Sequence, residues 1–274
     1  MASFSVVNNI TSAYAQTNLQ ATQLGLQKAL SRLSSGYRIN NSGDDAAGLS
    51  VANTYRNSSA ILTQGVRNAN DGMSNLQIKD GALSNISTLL DRLATLAAQA
   101  ATTKDTTIQA KLNTEFKNVT DEITRETKVA GLETSTSFSV FVSNTAVSGT
   151  AGSAANGMVG GAVAAVTLTS LGINASAIYD QTNAITAVAS ISTAVTSLGA
   201  VQSTIGSLQN SLQFAVSLAQ SQLVNTKAAE SRIRDANVAE EAANMTRYNI
   251  LSQSGIAALA QANQSTSSVL ALLR

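Results

Sequence analysis

Apolar residues recur along this chain at steps that alternate between three and four, the spacing that places them on one stripe of a helix. One such seam runs Leu76, Lys79, Leu83, Ile86, Leu90, Leu93, Ala97, Ala100, a heptad pattern with one polar interruption. A second runs Ile108, Leu112, Phe116, Val119, Ile123 after a polar break at 102–107, and the two predict an antiparallel helical pair. A third runs Ile191, Val195, Leu198, Gln202, Ile205, Gln209, Leu212, Val216, Ala219, Leu223, Thr226, Glu230, Ile233, roughly 60 Å of helix if unbroken. The last runs Val238, Ala242, Met245, Asn249, Ser252, Ile256, Leu259, Asn263, Thr266, Leu270, Leu273, with Asn249 and Asn263 as polar core positions that would fix register. Leu19, Leu26, Leu30 and Leu33 repeat the theme at the other end.

Two stretches break the period. Residues 34–48, SSGYRINNSGDDAAG, carry Gly36, Gly43 and Gly48 among Asn and Asp, which is turn chemistry. Ser42, with Asp45 three residues on, is the expected cap of the next helix. Residues 133–178 turn to β-branched, small and glycine residues, including FSVFV at 138–142, and predict short strands and loops. The fold class is therefore mainly α: a long antiparallel α-helical coiled-coil bundle from paired N- and C-terminal segments, with a small β-rich insertion. Three parts are expected: 1–40 with 236–274 as an inner helix pair, 41–132 with 181–235 as a helical bundle, and 133–180 as the β-rich outer segment.

Charge separates these parts. No Asp, Glu, Lys or Arg precedes Lys28, and none occurs from 248 to 273. A helix that meets water ordinarily carries charge on its outer face, so both ends are suited to contact other protein on every side. Charged residues are 12% of the chain, against about 25% in ordinary globular proteins. There is no Pro, which permits very long helices.

The chain also has no His and no Cys, which excludes imidazole triads, histidine zinc sites, thiol catalysis and disulfides. No catalytic, metal or cofactor residues are expected. Adjacent Asp44 and Asp45 read as a turn and helix start. The net charge of +1, with both signs scattered, gives no basic face for nucleic acid. No apolar run is expected to span a membrane, and no cleaved secretory signal is apparent at the N-terminus. That points to the cytoplasm unless an export machine reads an uncleaved N-terminal segment.

The blocks LSSGYRINNSGDDAAGLSVANTYR (33–56), VRNANDGMSNLQIKDGALSNI (66–86), LGAVQ (198–202) and SRIRDANVAEEAANMTRYNILSQSGIAALAQANQ (231–264), with VLALLR at the end, resemble the terminal signatures of bacterial flagellin. The resemblance covers about three quarters of the chain and is collinear at both ends. It implies a structural subunit that polymerises with copies of itself into the flagellar filament, secreted without a cleaved signal peptide. Its implied partners are the export apparatus, a flagellin chaperone, the filament cap and the hook-associated proteins, with no cofactor, nucleic acid or membrane insertion.

On this reading Leu19, Leu26, Leu30, Leu33, Ile256, Leu259, Leu270 and Leu273 form the filament-core interface. Arg32, Gly36, Arg38, Gly43, Asp44, Asp45 and Gly48 serve subunit contacts and the turn. Ser265–Ser268 replaces a stretch where many members carry Pro, which implies a straighter last helix. Members recognised by the flagellin-sensing Toll-like receptor of animals show Leu-Gln-Arg-x-Arg-Glu-Leu-Ala; here Arg92 and Leu96 match, Asp91, Ala94 and Thr95 depart, and Glu115 falls near the family's contacting glutamate.

The alternative within the family is a hook-filament junction protein, which shares the terminal helices. A lipid-binding amphipathic protein would need a Lys/Arg-rich polar face with aromatic anchors, which residues 1–27 lack. A metalloprotease insertion, found in certain flagellins, is excluded by the absence of His.

Overall fold

The computed structural model describes residues 9–143, 157–173 and 177–272, with side chains described through residue 264. The elements are α1 (Ile10–Ser35), α2 (Ala46–Thr102), α3 (Thr106–Val129), β1 (Thr136–Phe141), β2 (Met158–Val163), α4 (Gln181–Arg234) and α5 (Val238–Leu272). They form two compact units, residues 1–57 with 225–274 and residues 58–224, and α2 and α4 contribute to both. Leu273 and the side chain of Leu270 fall outside the described residues, as does most of the 144–162 stretch with its small, polar and glycine residues.

In the first unit α1 and α5 pack antiparallel. Asn9 Nδ2 donates to the Ala262 carbonyl and Ser12 Oγ to Asn263 Oδ1 at one end, and Arg32 meets Glu241 at the other. Gly36, at φ 73°, caps α1 in the left-handed conformation that a Cβ disfavours, with its N–H on the Arg32 carbonyl. The next helix is capped differently from expectation: Asp45, not Ser42, accepts the Gly48 N–H, at 2.8 Å, because α2 begins at Ala46 and leaves Ser42 in the loop.

The core of the second unit joins Leu76, Leu83, Ile86, Leu90 and Leu93 of α2 with Phe116 and Ile123 of α3 and a stripe of α4. That stripe is Ala184, Ala187, Ile191, Ala194, Leu198, Val201, Ile205, Leu208, Leu212, Ala215 and Ala219, an unbroken heptad. It corrects the expected register: Ala194, Val201, Leu208 and Ala215 face inward in place of Val195, Gln202, Gln209 and Val216. Gln202 and Gln209 thus leave the seam for its edge, although Gln209 Nε2 stays buried there without a hydrogen-bond partner among the described residues. α4 is also long and apolar enough by length and composition to cross a membrane, contrary to expectation, and one stripe of its apolar positions lines this core.

The α3 seam shifts as well. Ile108 is exposed, and Gln109, Asn113, Phe116, Thr120, Ile123 and Thr127 are buried. A polar stripe is tolerated because its groups are paired. Gln109 Nε2 donates to the Thr103 carbonyl at 2.7 Å, Asn113 Oδ1 accepts the Ile178 N–H at 3.0 Å, and the threonine hydroxyls bond carbonyls three residues back. Arg92 with Glu115 and Asn85 with Glu126 hold α2 and α3 antiparallel.

β1 and β2 form one antiparallel ribbon, registered from Thr136 opposite Val163 to Phe141 opposite Met158. A two-stranded ribbon is marginal alone, and this one is seated on α2. A Cβ built on Gly65 would lie 1.7 Å from the Val142 carbonyl oxygen, so the strand backbone runs against the helix itself. Asn68 Nδ2, one turn on, donates to the Phe141 carbonyl.

Candidate functional site: an uncharged helix pair and its turn clasp

The faces that α1 and α5 turn to each other alternate leucines and a few other large residues with small and polar ones. On α1 the line is Ser12, Ala15, Leu19, Thr22, Leu26, Ala29 and Leu33; on α5 it is Met245, Tyr248, Ser252, Gly255, Leu259 and Ala262. Contact is close, with a Cβ on Gly25 falling 2.6 Å from the Tyr248 ring and one on Gly255 falling 3.3 Å from Leu19. Yet Ala29 is the one fully buried residue among those described on α1.

Other large apolar groups point away from the seam. Tyr14 is 70% exposed, and Ile10, Leu24, Ile250 and Leu251 are also exposed. Tyr14 and Leu251 flank a groove of about 460 Å³ whose lining has no charged residue.

Of the expected interface residues, Leu19, Leu26, Leu33 and Leu259 lie on the α1·α5 seam, while Leu30 and Ile256 face outward. Asn249 is exposed off the seam, and Asn263 reaches α1 from its edge, through Ser12. The last seam is therefore displaced from the expected one, which ran through Val238, Asn249 and Ile256. The reason is the mate: α1 offers Leu19 opposite Gly255 and the polar Asn9 opposite Ala262, so the small α5 residues turn inward.

At the charged end of the pair the chain forms a clasp. Residues 36–38 run beside 234–236, with Arg38 N–H on the Arg234 carbonyl, Ala236 N–H on the Gly36 carbonyl and a bridge between Tyr37 and Asp235. The Arg234 guanidinium stacks on the Tyr37 ring at 4.1 Å. Arg38 Nη2 donates to the Ile233 carbonyl at 2.8 Å. The described bonds of Arg32 and Arg38 are thus within the chain, and Gly43 sits exposed in the loop.

Arg32 and Glu241 approach to 3.2 Å with side chains 29% and 10% exposed. Pairs this sheltered couple more strongly than surface ones. A double-mutant cycle with Arg32→Ala and Glu241→Ala should return a coupling of about 1–3 kcal/mol by urea unfolding. A value near zero would make the pair incidental.

Asp44 locks the turn. Its Oδ2 accepts the N–H groups of Asn41 at 3.1 Å and Asn40 at 3.3 Å, and its Oδ1 lies 3.7 Å from Lys28 Nζ. The Asn41 N–H above all, aided by that of Asn40 and by Lys28 and Arg32, holds its pKa below the ordinary 3.8 against the opposing effect of burial. Its favourable contribution is complete above that ordinary value and is lost as pH falls through the lower folded one. Asp44→Asn should therefore flatten the acid limb of the stability profile below pH 3.8. Superimposable acid titrations of the two proteins would refute the assignment.

The three residues matching the receptor-contact pattern are divided. Exposed Arg92 and half-buried Glu115 are paired with each other, whereas Leu96 is fully buried in the second unit's core. Leu96 therefore offers no surface to a partner in this fold.

Sequence reasoning missed Tyr37, Asp235 and Glu241. Only an aromatic beside Gly36 and a late Arg could have hinted at the stack, and nothing in the sequence links residues about 200 positions apart.

The chain matches the bacterial flagellin N-terminal helical region over residues 6–133 and the bacterial flagellin C-terminal helical region over residues 188–273. It is 35% identical to the flagellin of Halalkalibacterium halodurans across 97% of this chain and 98% of that one. It is 31% identical to the flagellar filament 33 kDa core protein of Treponema phagedenis, across 97% and 99%. The flagellin of Listeria innocua is likewise 31% identical, across 94% and 96%.

Proposed function

The chain belongs to the bacterial flagellin family, and we propose that it builds its filament by burying the α1·α5 pair against the same pair of neighbouring copies. Its function is structural: it is a subunit of the flagellar filament, in a family of structural proteins. The junction-protein alternative falls away, because the relatives above are flagellins and a filament core protein.

One observation carries the assembly mode. Residues 1–27 and 248–273 hold no charge, and the pair they contribute to leaves Tyr14, Leu24, Ile250 and Ile256 in water. Contacts between neighbours that never close on themselves generate a helical polymer. In the proposed layering, 1–40 with 236–274 line the inner tube, 41–132 with 181–235 form the surrounding layer, and 133–180 face outward. The filament is extracellular, so the partners of the free subunit are an export apparatus and a chaperone that shields the apolar stripe of α5. Cap and hook-associated proteins meet it at the filament ends. An animal receptor reading α2 and α3 would engage Arg92 and Glu115 rather than Leu96.

Purified protein, seeded or salted out and imaged in negative stain, should give tubes of uniform diameter. Amorphous aggregate alone would count against the reading. The free monomer should also be cut at its ends first, because the pair buries too little to offset about 1–2 kcal/mol per residue of backbone ordering. Limited proteolysis is expected to leave a core near residues 40–235, and rapid cleavage at the centre with intact ends would contradict this.

A further inference from the structure

Cys, His and Trp are absent from the chain, so its activated rings open to electrophilic substitution are five tyrosines. Tyr55 and Tyr248 are half-buried, and the Tyr248 ring lies against Gly25. A guanidinium, that of Arg234, covers one face of Tyr37. Tyr14 is 70% exposed but stands in a groove with no charged residue.

Tyr179 differs because a cation is held against it. It precedes α4 and is 55% exposed, and the residues on either side are pinned. Ile178 is fully buried, with its N–H on Asn113 Oδ1 at 3.0 Å. Asp180 caps α4 by accepting the Asn183 N–H at 2.8 Å. The phenol is thereby presented to α3, where Lys117 Nζ donates to its oxygen at 3.1 Å and lies 5.6 Å from the ring centroid. A hydrogen bond from a cation favours phenolate over phenol. This bond above all, with the Asn113 side chain and the Lys117 charge adding to it, holds the phenol below its ordinary 10.0 against the opposing effect of burial. Asp180, next in sequence, is engaged elsewhere, since its second carboxylate oxygen accepts from Asn183 Nδ2.

We propose that Tyr179 is a modification site, the tyrosine that an uncharged nitrating electrophile takes first, with Lys117 as the group that readies it. The proposal is independent of the filament reading, because every residue it uses lies within one subunit. The step balances with tetranitromethane as the agent. A ring carbon beside the phenolate oxygen bonds the nitrogen of one nitro group, and the C–N bond of the agent breaks. Trinitromethanide leaves with the electron pair, and the displaced ring proton passes to water.

Dilute monomer treated with a limiting amount of tetranitromethane and mapped by peptide mass gives the ranking directly. At about pH 8, where phenols are mostly protonated, Tyr179 should be nitrated about twofold to fivefold faster than Tyr14, the factor an exposed ion pair supplies. Lys117→Met should remove that lead and move the nitration profile of Tyr179 to higher pH, whereas Lys117→Arg should keep both near the parent. A merely structural role for Lys117 would leave the pH profile where it is. Tyr14 reacting ahead of Tyr179 in the unaltered chain overturns the proposal, and so does a Tyr179 profile unmoved by Lys117→Met. Should that variant fail to fold by circular dichroism, Lys117→Gln supplies the comparison, read in the same way.

Discussion

Gly65→Val is expected to cost the monomer about 3 kcal/mol or more, the upper range for overpacking against an unyielding neighbour. The obstacle is the Val142 carbonyl, 1.7 Å from the position of an added Cβ, and neither helix nor strand can yield locally. The ribbon must lift from α2, which strips cover from the adjoining core and leaves two strands with little independent stability. At roughly 2–4 °C per kcal/mol for a unit of this size, the melting temperature should fall by about 6–12 °C. Gly81→Ala serves as the control, since nothing lies within 4 Å of that site; it should be neutral or mildly stabilising. Equal melting curves for Gly65→Val and the parent chain would mean that the ribbon is not seated there.

The second large effect is on assembly. Leu19→Asp combined with Leu259→Asp should abolish filaments while the second unit stays folded. Both leucines lie half-buried on the α1·α5 seam, and a carboxylate there would enter a layer with no cation to meet it, at a cost of several kcal/mol per group. That penalty recurs at every subunit, so growth should fail outright rather than slow. Sedimentation together with far-ultraviolet circular dichroism separates the outcomes. A folded, soluble protein that never pellets is expected, and normal filaments would show that this seam is not part of the polymer core.

The helical plan was legible because its apolar period is long and survives isolated polar positions such as Lys79 and Gln202. Register was not, and α4 shows why. Two heptad phases share Ile191, Leu198, Ile205, Leu212 and Ala219 and differ only between them, at 194 or 195, 201 or 202, 208 or 209, and 215 or 216. Ala194 is less hydrophobic than Val195, so local hydrophobicity favours the wrong phase at the first choice, and only the partner helices decide. On α5 the inward turn of Gly255 has the same origin, since a glycine reads as a break until Leu19 is seen packed on it. The α3 stripe was hidden because Gln109, Asn113 and Thr120 are buried through bonds to residues elsewhere in the unit or in their own helix. At the candidate site, Leu19, Leu26 and Leu33 could be read from spacing, but the stack of Arg234 on Tyr37 could not.

The layering carries the account, because it assigns the charge-free ends to one place and the charged helices to another. A helical reconstruction of filaments from this chain, at a resolution that separates helices, would locate each by radius. The account predicts α1 and α5 as the innermost layer, packed against α1 and α5 of neighbouring subunits, with α3 and its charges farther out. A map placing the charged helices at the inner wall, or leaving the α1·α5 pair in contact with solvent, would contradict it.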